Sequence, residues 1–162
     1  LKYLGHYGDK TLRAKILQRF QENGIRPERI EFRSTEEGFR QHLETYKEID
    51  IALDPFPFNG ATTTFEALFV GVPVIGLIGD TFVSRVTGAI LVQSGHAEMA
   101  AFDIVQYVEL ACKLAQNPER LSELRCNLPV DLNNSTLCDA QKYAKSVEYA
   151  LTDMWRRWRQ TP

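Results

Sequence analysis

Asp50-Ile51-Ala52-Leu53-Asp54-Pro55-Phe56-Pro57-Phe58-Asn59-Gly60-Ala61-Thr62-Thr63-Thr64-Phe65-Glu66 is the stretch whose reading decides the fold. Residues 49–53 alternate little and read as a short buried strand. Residues 54–60 hold two prolines and a Gly, the chemistry of a loop. Thr62–Thr64 then open a helix that the pattern carries to Phe69, with Gly71 as its stop. Residues 72–78 follow as an almost wholly apolar strand, the kind covered on both faces of a parallel sheet. A strand, a loop, a helix and a second strand in so few residues predict an α/β domain with a parallel sheet.

The flanks repeat the alternation. Residues 1–6 read as a strand, and residues 11–22 as a helix with Leu12, Ile16, Leu17 and Phe20 at helical spacing, stopped by Asn23-Gly24. Residues 30–32 read as a short strand. Residues 39–46 read as a helix with Phe39, Leu43 and Tyr46 on one face. After Gly79-Asp80, the side chain of Asp80 or Thr81 is expected to cap a helix running to about Ser94. The last third is all helix: residues 104–116, stopped by Asn117-Pro118, then 119–124, a polar break at Asn133-Asn134-Ser135, and a long helix over 137–158.

Composition bounds the function. The 162 residues suffice for one domain with a real core. Nineteen basic against 21 acidic residues leave a net charge of −2, which gives no support to a nucleic-acid partner. The longest apolar run, from Val70 to Gly79, is broken by Gly71, Pro73 and Gly76 and is too short to span a membrane. Cys112, Cys126 and Cys138 form no C-x-x-C pair, so neither a zinc site nor a disulfide framework is expected, and a reducing cytoplasmic location is. The sequence opens on Leu1, inside a strand-like run and without a leader pattern, and reads as a piece of a longer protein.

Ligands of open parallel sheets bind beyond the carboxyl ends of the strands, which points to the loop after Leu53. Gly60 and Ala61 allow close backbone approach. Thr62, Thr63 and Thr64 supply N–H groups and hydroxyls at a helix N-terminus, where the dipole favours an anion such as phosphate. Glu66 shares a helix face with Thr62 and suits a sugar diol beside that phosphate. The same residues also read as threonines capping a helix whose first turn carries a solvated acid. Neither G-x-G-x-x-G nor G-x-x-x-x-G-K-[ST] occurs, which counts against an ordinary NAD site and a P-loop ATPase.

The run from Asp50 to Leu68, with Gly71-Val72-Pro73-Val74 and Gly79-Asp80-Thr81-Phe82-Val83-Ser84-Arg85-Val86, resembles the C-terminal catalytic lobe of the O-linked N-acetylglucosamine transferase family, which includes the plant SPINDLY proteins and bacterial tetratricopeptide-repeat glycosyltransferases. So does the ending, from Lys142-Tyr143 to Met154-Trp155. The likeness covers nearly the whole chain and is densest from His42 to Arg85. It implies a GT-B fold, two Rossmann-like lobes facing a cleft. Residues 1–162 are then a single donor-nucleotide-binding lobe, of which 104–162 form a C-terminal helical extension. It implies a UDP-sugar donor, N-acetylglucosamine or, as in a SPINDLY-like variant, GDP-fucose, and a Ser or Thr hydroxyl of a protein as acceptor. A non-catalytic binding or assembly module is the rival class.

By the resemblance, Thr62 and Thr63, with the Gly60-Ala61 turn, contact the donor diphosphate. Glu66 binds the ribose, where many relatives carry Asp, and His42 stacks on the base. Many relatives have His where this chain has Ala61, and some have a basic residue where it has Thr45. The family's diphosphate-neutralising lysine falls upstream of Leu1, as do the first lobe, its acceptor-side residues and any tetratricopeptide repeats. The fragment alone is therefore expected to be inactive. No metal or cofactor is expected. Surface normally covered by the first lobe would let the chain pair with itself.

Other residues carry less. His6 and His96 read as surface or loop residues. Asp54 is placed to accept loop N–H groups. Arg85 is expected to pair locally with Asp80 or tie its helix to the loop. Alternation across Pro57 predicts that one of Phe56 and Phe58 faces the core and the other the cleft. Trp155 and Trp158 read as a packing stripe against the sheet or the first lobe, with Arg156, Arg157 and Arg159 solvated.

Overall fold

The computed structural model describes residues 9–33 and 38–160. The strand expected at residues 1–6, and His6 with it, lies outside the described residues. The chain divides into two compact units, Leu1–Thr45 and Tyr46–Pro162.

In the first unit, α1 spans Lys10–Glu22. Asp9 caps it, its Oδ1 accepting from the Thr11 N–H at 2.8 Å. Asn23 and Gly24, the latter at φ 76°, end it as expected. A 3-10 turn, Pro27–Arg29, follows. Residues 30–32 join no ladder; Arg33 alone makes a bridge. Three residues after a turn are too few for an apolar pattern to define a strand. The helix expected at 39–46 is α2, Phe39–Glu44, which tightens into a 3-10 segment, Thr45–Glu48. Thr45 helps to end the α-helical geometry, since its hydroxyl donates back to the Gln41 carbonyl at 3.2 Å.

The second unit is built on a small parallel sheet of order β1-β2-β3: β1 Ala52–Leu53, β2 Val74–Leu77 and β3 Ala100–Ala101. Ala52 pairs with Val74, and Gly76 with Ala100. All of β2 is buried, as its apolar run predicts. The ladder is shorter than the apolar run because both partner strands are two residues long. Backbone bonds from the Asp54 N–H to the Ile75 carbonyl and from the Ile78 N–H to the Ala101 carbonyl carry pairing past the strand ends. β3 escapes sequence reading, because two alanines carry no periodicity.

Helix α3, Thr62–Phe69, follows β1, and α4, Val86–Gln93, follows β2. The expected cap of α4 at Asp80 or Thr81 does not form. The Thr81 and Ser84 hydroxyls bond each other at 2.9 Å and Ser84 Oγ donates to the Thr81 carbonyl at 3.0 Å, closing a local turn. The helix starts after that turn, at Val86. Helix α5, Ile104–Ala115, is capped by Asp103. Helix α6, Pro118–Asn134, continues well past the expected end at residue 124 and stops at the expected polar break, with Ser135 as its C-cap. Leu124, Leu128 and Leu132, four apart and all buried, carry the helix on beyond residue 124. Ser135 then closes it, its hydroxyl donating to the Leu132 carbonyl at 2.6 Å.

Helix α7, Ala140–Gln160, buries none of its residues. Trp155 and Trp158 are exposed and lean on each other, ring centroids 5.1 Å apart, so their expected packing against the sheet is not what the structure has. No described helix is long and apolar enough to cross a membrane.

Gly71 and Gly95 share a φ of 86° but differ in surroundings. A Cβ on Gly71 would run into the carbonyl oxygen of Arg125 on α6; one on Gly95 meets nothing within 4 Å. Arg125 is itself anchored, donating to the Ile49 carbonyl at 2.8 Å. Gly95→Ala should cost only the left-handed strain, about 1 kcal/mol. Gly71→Ala adds a backbone clash and should cost about 3 kcal/mol. Denaturant midpoints of the two variants check the difference, and equal losses would refute it.

Candidate functional site

Because the strands are parallel, their carboxyl ends share one edge of the sheet, and residues 54–60 and 78–85 leave from there. The loop after β1 is pinned at several points. Asp54, 6% exposed, accepts the Gly60 N–H on Oδ1 at 2.8 Å. The Gly60 carbonyl accepts the Thr87 hydroxyl of α4 at 3.0 Å. Asn59 donates from Nδ2 to the Pro55 carbonyl at 3.2 Å, and its N–H bonds the Val83 carbonyl at 3.0 Å. Tyr107 of α5 donates to the Asp54 carbonyl at 3.0 Å. Gly60 leaves no space for a side chain: a Cβ there would sit 2.6 Å from Thr63 Oγ1 and 2.9 Å from Asp54 Oδ1. The structural role expected of Asp54 is therefore the one it has.

The three threonines separate. Thr64 turns inward and is buried, its hydroxyl 2.9 Å from that of Thr87. Thr62 and Thr63 stay exposed in the first turn of α3. The N-cap is Ala61, which has no side-chain oxygen to offer, so no threonine caps this helix. The first N–H groups of α3 are consequently left for something other than a cap. Glu66 is half-buried one turn on, its Oε2 accepting from the Tyr46 hydroxyl at 3.1 Å. Burial, then the Glu66 charge, pushes the Tyr46 phenol well above its ordinary value, so it stays protonated and donating.

Gly60, Ala61, Thr62, Thr63 and Glu66 thus stand together at one helix start. His42 lies on α2, in the first unit. Three residues of this neighbourhood were not assigned to it from the sequence: Tyr46, which read only as one of three residues sharing a helix face, and Thr87 and Tyr107, which nothing local marks. The roles of Thr87 and Tyr107 depend on α4 and α5 folding back onto the loop, and that of Tyr46 on its meeting α3.

Several expectations need correction. Phe56 and Phe58 are 54% and 68% exposed, so neither faces the core; the loop is too closely tied by Asp54 and Asn59 to follow a strand's alternation. His96 stands in a loop, one of its two expected places, but is buried rather than on the surface. Its Nε2 lies 3.1 Å from Asp131 of α6 and its Nδ1 3.4 Å from Glu98, a link between the segment after α4 and α6. Arg85 takes the second of its two expected roles, its Nε donating to the Gly79 carbonyl at 3.0 Å. Among the described residues no three His, Cys, Asp or Glu side chains gather as metal ligands.

Comparison with known proteins gives this arrangement its context. Residues 7–147 match the sequence profile of Glycosyl transferase family 41. A rice (Oryza sativa subsp. japonica) protein named "Probable UDP-N-acetylglucosamine--peptide N-acetylglucosaminyltransferase SPINDLY" is 33% identical over 148 residues, 91% of this chain and 16% of its own length. A Caenorhabditis elegans protein named "UDP-N-acetylglucosamine--peptide N-acetylglucosaminyltransferase" is 30% identical over 94% of this chain and 13% of its own. The structure of an O-GlcNAc transferase mutant from Thermobaculum terrenum superposes with a TM-score of 0.89 at 30% identity, covering 99% of this chain and 31% of that one. The chain therefore spans about a sixth of the rice relative's length. The expected fold holds: a Rossmann-like α/β lobe of GT-B type, rich in helix around a small parallel sheet. With the profile covering most of its length and the structural match nearly all of it, the chain belongs to Glycosyl transferase family 41.

Proposed function

We propose that this chain is the donor-binding lobe of a protein O-glycosyltransferase that moves N-acetylglucosamine from a uridine diphosphate donor to a Ser or Thr hydroxyl. The observation that carries the reading is the start of α3. Ala61 leaves the helix uncapped, Thr62 and Thr63 are exposed, and Gly60 before them is held from both sides. A helix N-terminus stabilises an anion by about 0.3–2 kcal/mol, and free N–H groups add directed hydrogen bonds.

In this proposal the donor diphosphate lies over residues 60–63. Charge that develops on it as the glycosidic bond breaks meets amides already in place, the form of stabilisation that raises turnover rather than affinity alone. The helix end, with the upstream lysine that the family resemblance implies, takes the role a metal has elsewhere. Glu66 accepts two ribose hydroxyls, and the Tyr46 hydroxyl orients its carboxylate. His42 stacks on the base. The acceptor-side groups belong to an upstream lobe, and the intact protein works in the cytoplasm on protein acceptors, with tetratricopeptide repeats to select them.

The test is a two-dimensional NMR titration of the chain with UDP, GDP and NAD. UDP should shift the amides of residues 60–66, and NAD should not. Glu66→Ala removes hydrogen bonds to a charged acceptor and should weaken UDP binding about tenfold or more. Tyr46→Phe leaves the carboxylate but not its guide and should weaken it about fivefold. Shifts produced by GDP rather than UDP would reassign the donor. No shift with any of the three, in the chain or in one extended upstream to include the lysine, would refute the reading.

A further inference from the structure

Asp54 presents a problem of accounting. Its Oδ1 holds the Gly60 N–H, but its Oδ2 is buried without a hydrogen-bond partner. Asn59, 3% exposed in the same loop, has a buried Oδ1 in the same condition. Two buried acceptors therefore lack a donor, where an unsatisfied buried polar atom is costly and a charged one more so. A carboxyl group carrying a proton would turn one of these acceptors into a donor.

The surroundings favour that proton. Burial pushes the Asp54 carboxyl up, opposed first by the Gly60 N–H and then by the Thr87 and Asn59 side chains, with no cation among these interactions. From α5 comes Tyr107, whose hydroxyl is spent on the Asp54 carbonyl. From α3 comes Glu66, an anion engaged by Tyr46. The turn before α4 brings Arg85, whose Nε is spent on the Gly79 carbonyl, and the exposed Asp80. β2 brings only apolar residues. The Asp54–Gly60–Thr87–Thr64 chain of hydrogen bonds ties this carboxyl to the first turn of α3 and to α4.

We propose that Asp54 is a positioning residue for donor binding, a buried carboxyl that sets Gly60 and the first turn of α3 and takes up a proton as a diphosphate docks beside it. The proposal rests on the donor-lobe reading. A diphosphate at residues 60–63 brings negative charge next to a carboxylate that no cation offsets, so the protonated carboxyl tolerates it better. Binding and proton uptake are then linked. The sign follows: a carboxyl raised above its ordinary value of 3.8 costs no stability below that value, costs more as pH climbs from there to the folded value, and keeps the full cost above it. Donor affinity follows the same direction, falling as pH rises.

The probe is UDP-N-acetylglucosamine, whose phosphodiesters do not titrate between about pH 4 and about pH 8. Wild-type affinity should fall with pH across that range, by up to about tenfold per unit where the linkage is steepest. Asp54→Asn keeps an acceptor for Gly60 and a permanent donor in place of the proton. It should bind with little pH dependence and be more stable than wild type at neutral pH, an advantage lost in acid. Asp54→Ala removes the anchor and should bind about tenfold or more weakly at every pH. In the free chain, the Gly60 amide shift should titrate in wild type and not in Asp54→Asn. A pH slope that survives in Asp54→Asn, a wild-type affinity indifferent to pH, or a Gly60 amide that ignores pH would overturn the proposal. If no donor binds at any pH, the donor-lobe reading fails. The Gly60 titration then still decides whether Asp54 is the proton-holding anchor of this loop.

Discussion

The bond from the Gly60 amide to the buried Asp54 carboxyl is the constraint on which the rest of the candidate site depends. It closes the loop after β1 into a turn that ends where α3 begins. The carbonyl of the same residue takes the Thr87 hydroxyl, so the peptide units on either side of Gly60 are held, one by the loop after β1 and the other by α4. Only Gly fits there, because Asp54 and the Thr63 and Thr64 hydroxyls occupy the space of a side chain. With Gly60 fixed, the direction of α3 is fixed, and so is the outward aim of its first turn.

A run of three threonines then does two jobs. Thr64 is spent inward on Thr87, joining the helices across the loop. Thr62 and Thr63 remain outside, above a cap position whose alanine offers the helix no oxygen. A capped helix would be more stable by about 1 kcal/mol. Leaving the end open fits a segment in which anion binding, rather than local stability, sets the chemistry. The proposed donor role draws on both the chain's membership of Glycosyl transferase family 41 and this open helix start.

The fold was legible in outline, and its errors have physical sources. Long periodic segments read well: α1, α3, α5 and the buried β2 fall within a few residues of their patterns. The short pieces read badly. Two-residue strands such as β3 exist only because a neighbouring strand offers a ladder. Residues 30–32 have the composition of a strand but join no ladder. Capping of α4 failed because Thr81 found a nearer partner in Ser84 than any helix N–H. In α6 the buried leucine stripe carried the helix past residue 124, since a helix face already buried costs little to continue, and the polar break at Asn133-Asn134-Ser135 ended it as expected.

What the sequence by itself determined is what depends on neighbours in the chain. The strand–loop–helix unit at 50–66, the end of α3 at Gly71 and the acid one turn after Thr62 all follow from local backbone chemistry. What only the tertiary structure decided is what needs a partner far along the chain. Thr64 turns inward because Thr87, 23 residues on, meets it. His96 is buried because Asp131, 35 residues on, receives its ring. Tyr46 orients Glu66, 20 residues away, and Tyr107 secures Asp54 from 53 residues away. Periodicity and propensity reach only about one helical turn, so hydrogen bonds across such separations become visible only when the helices have closed on the sheet.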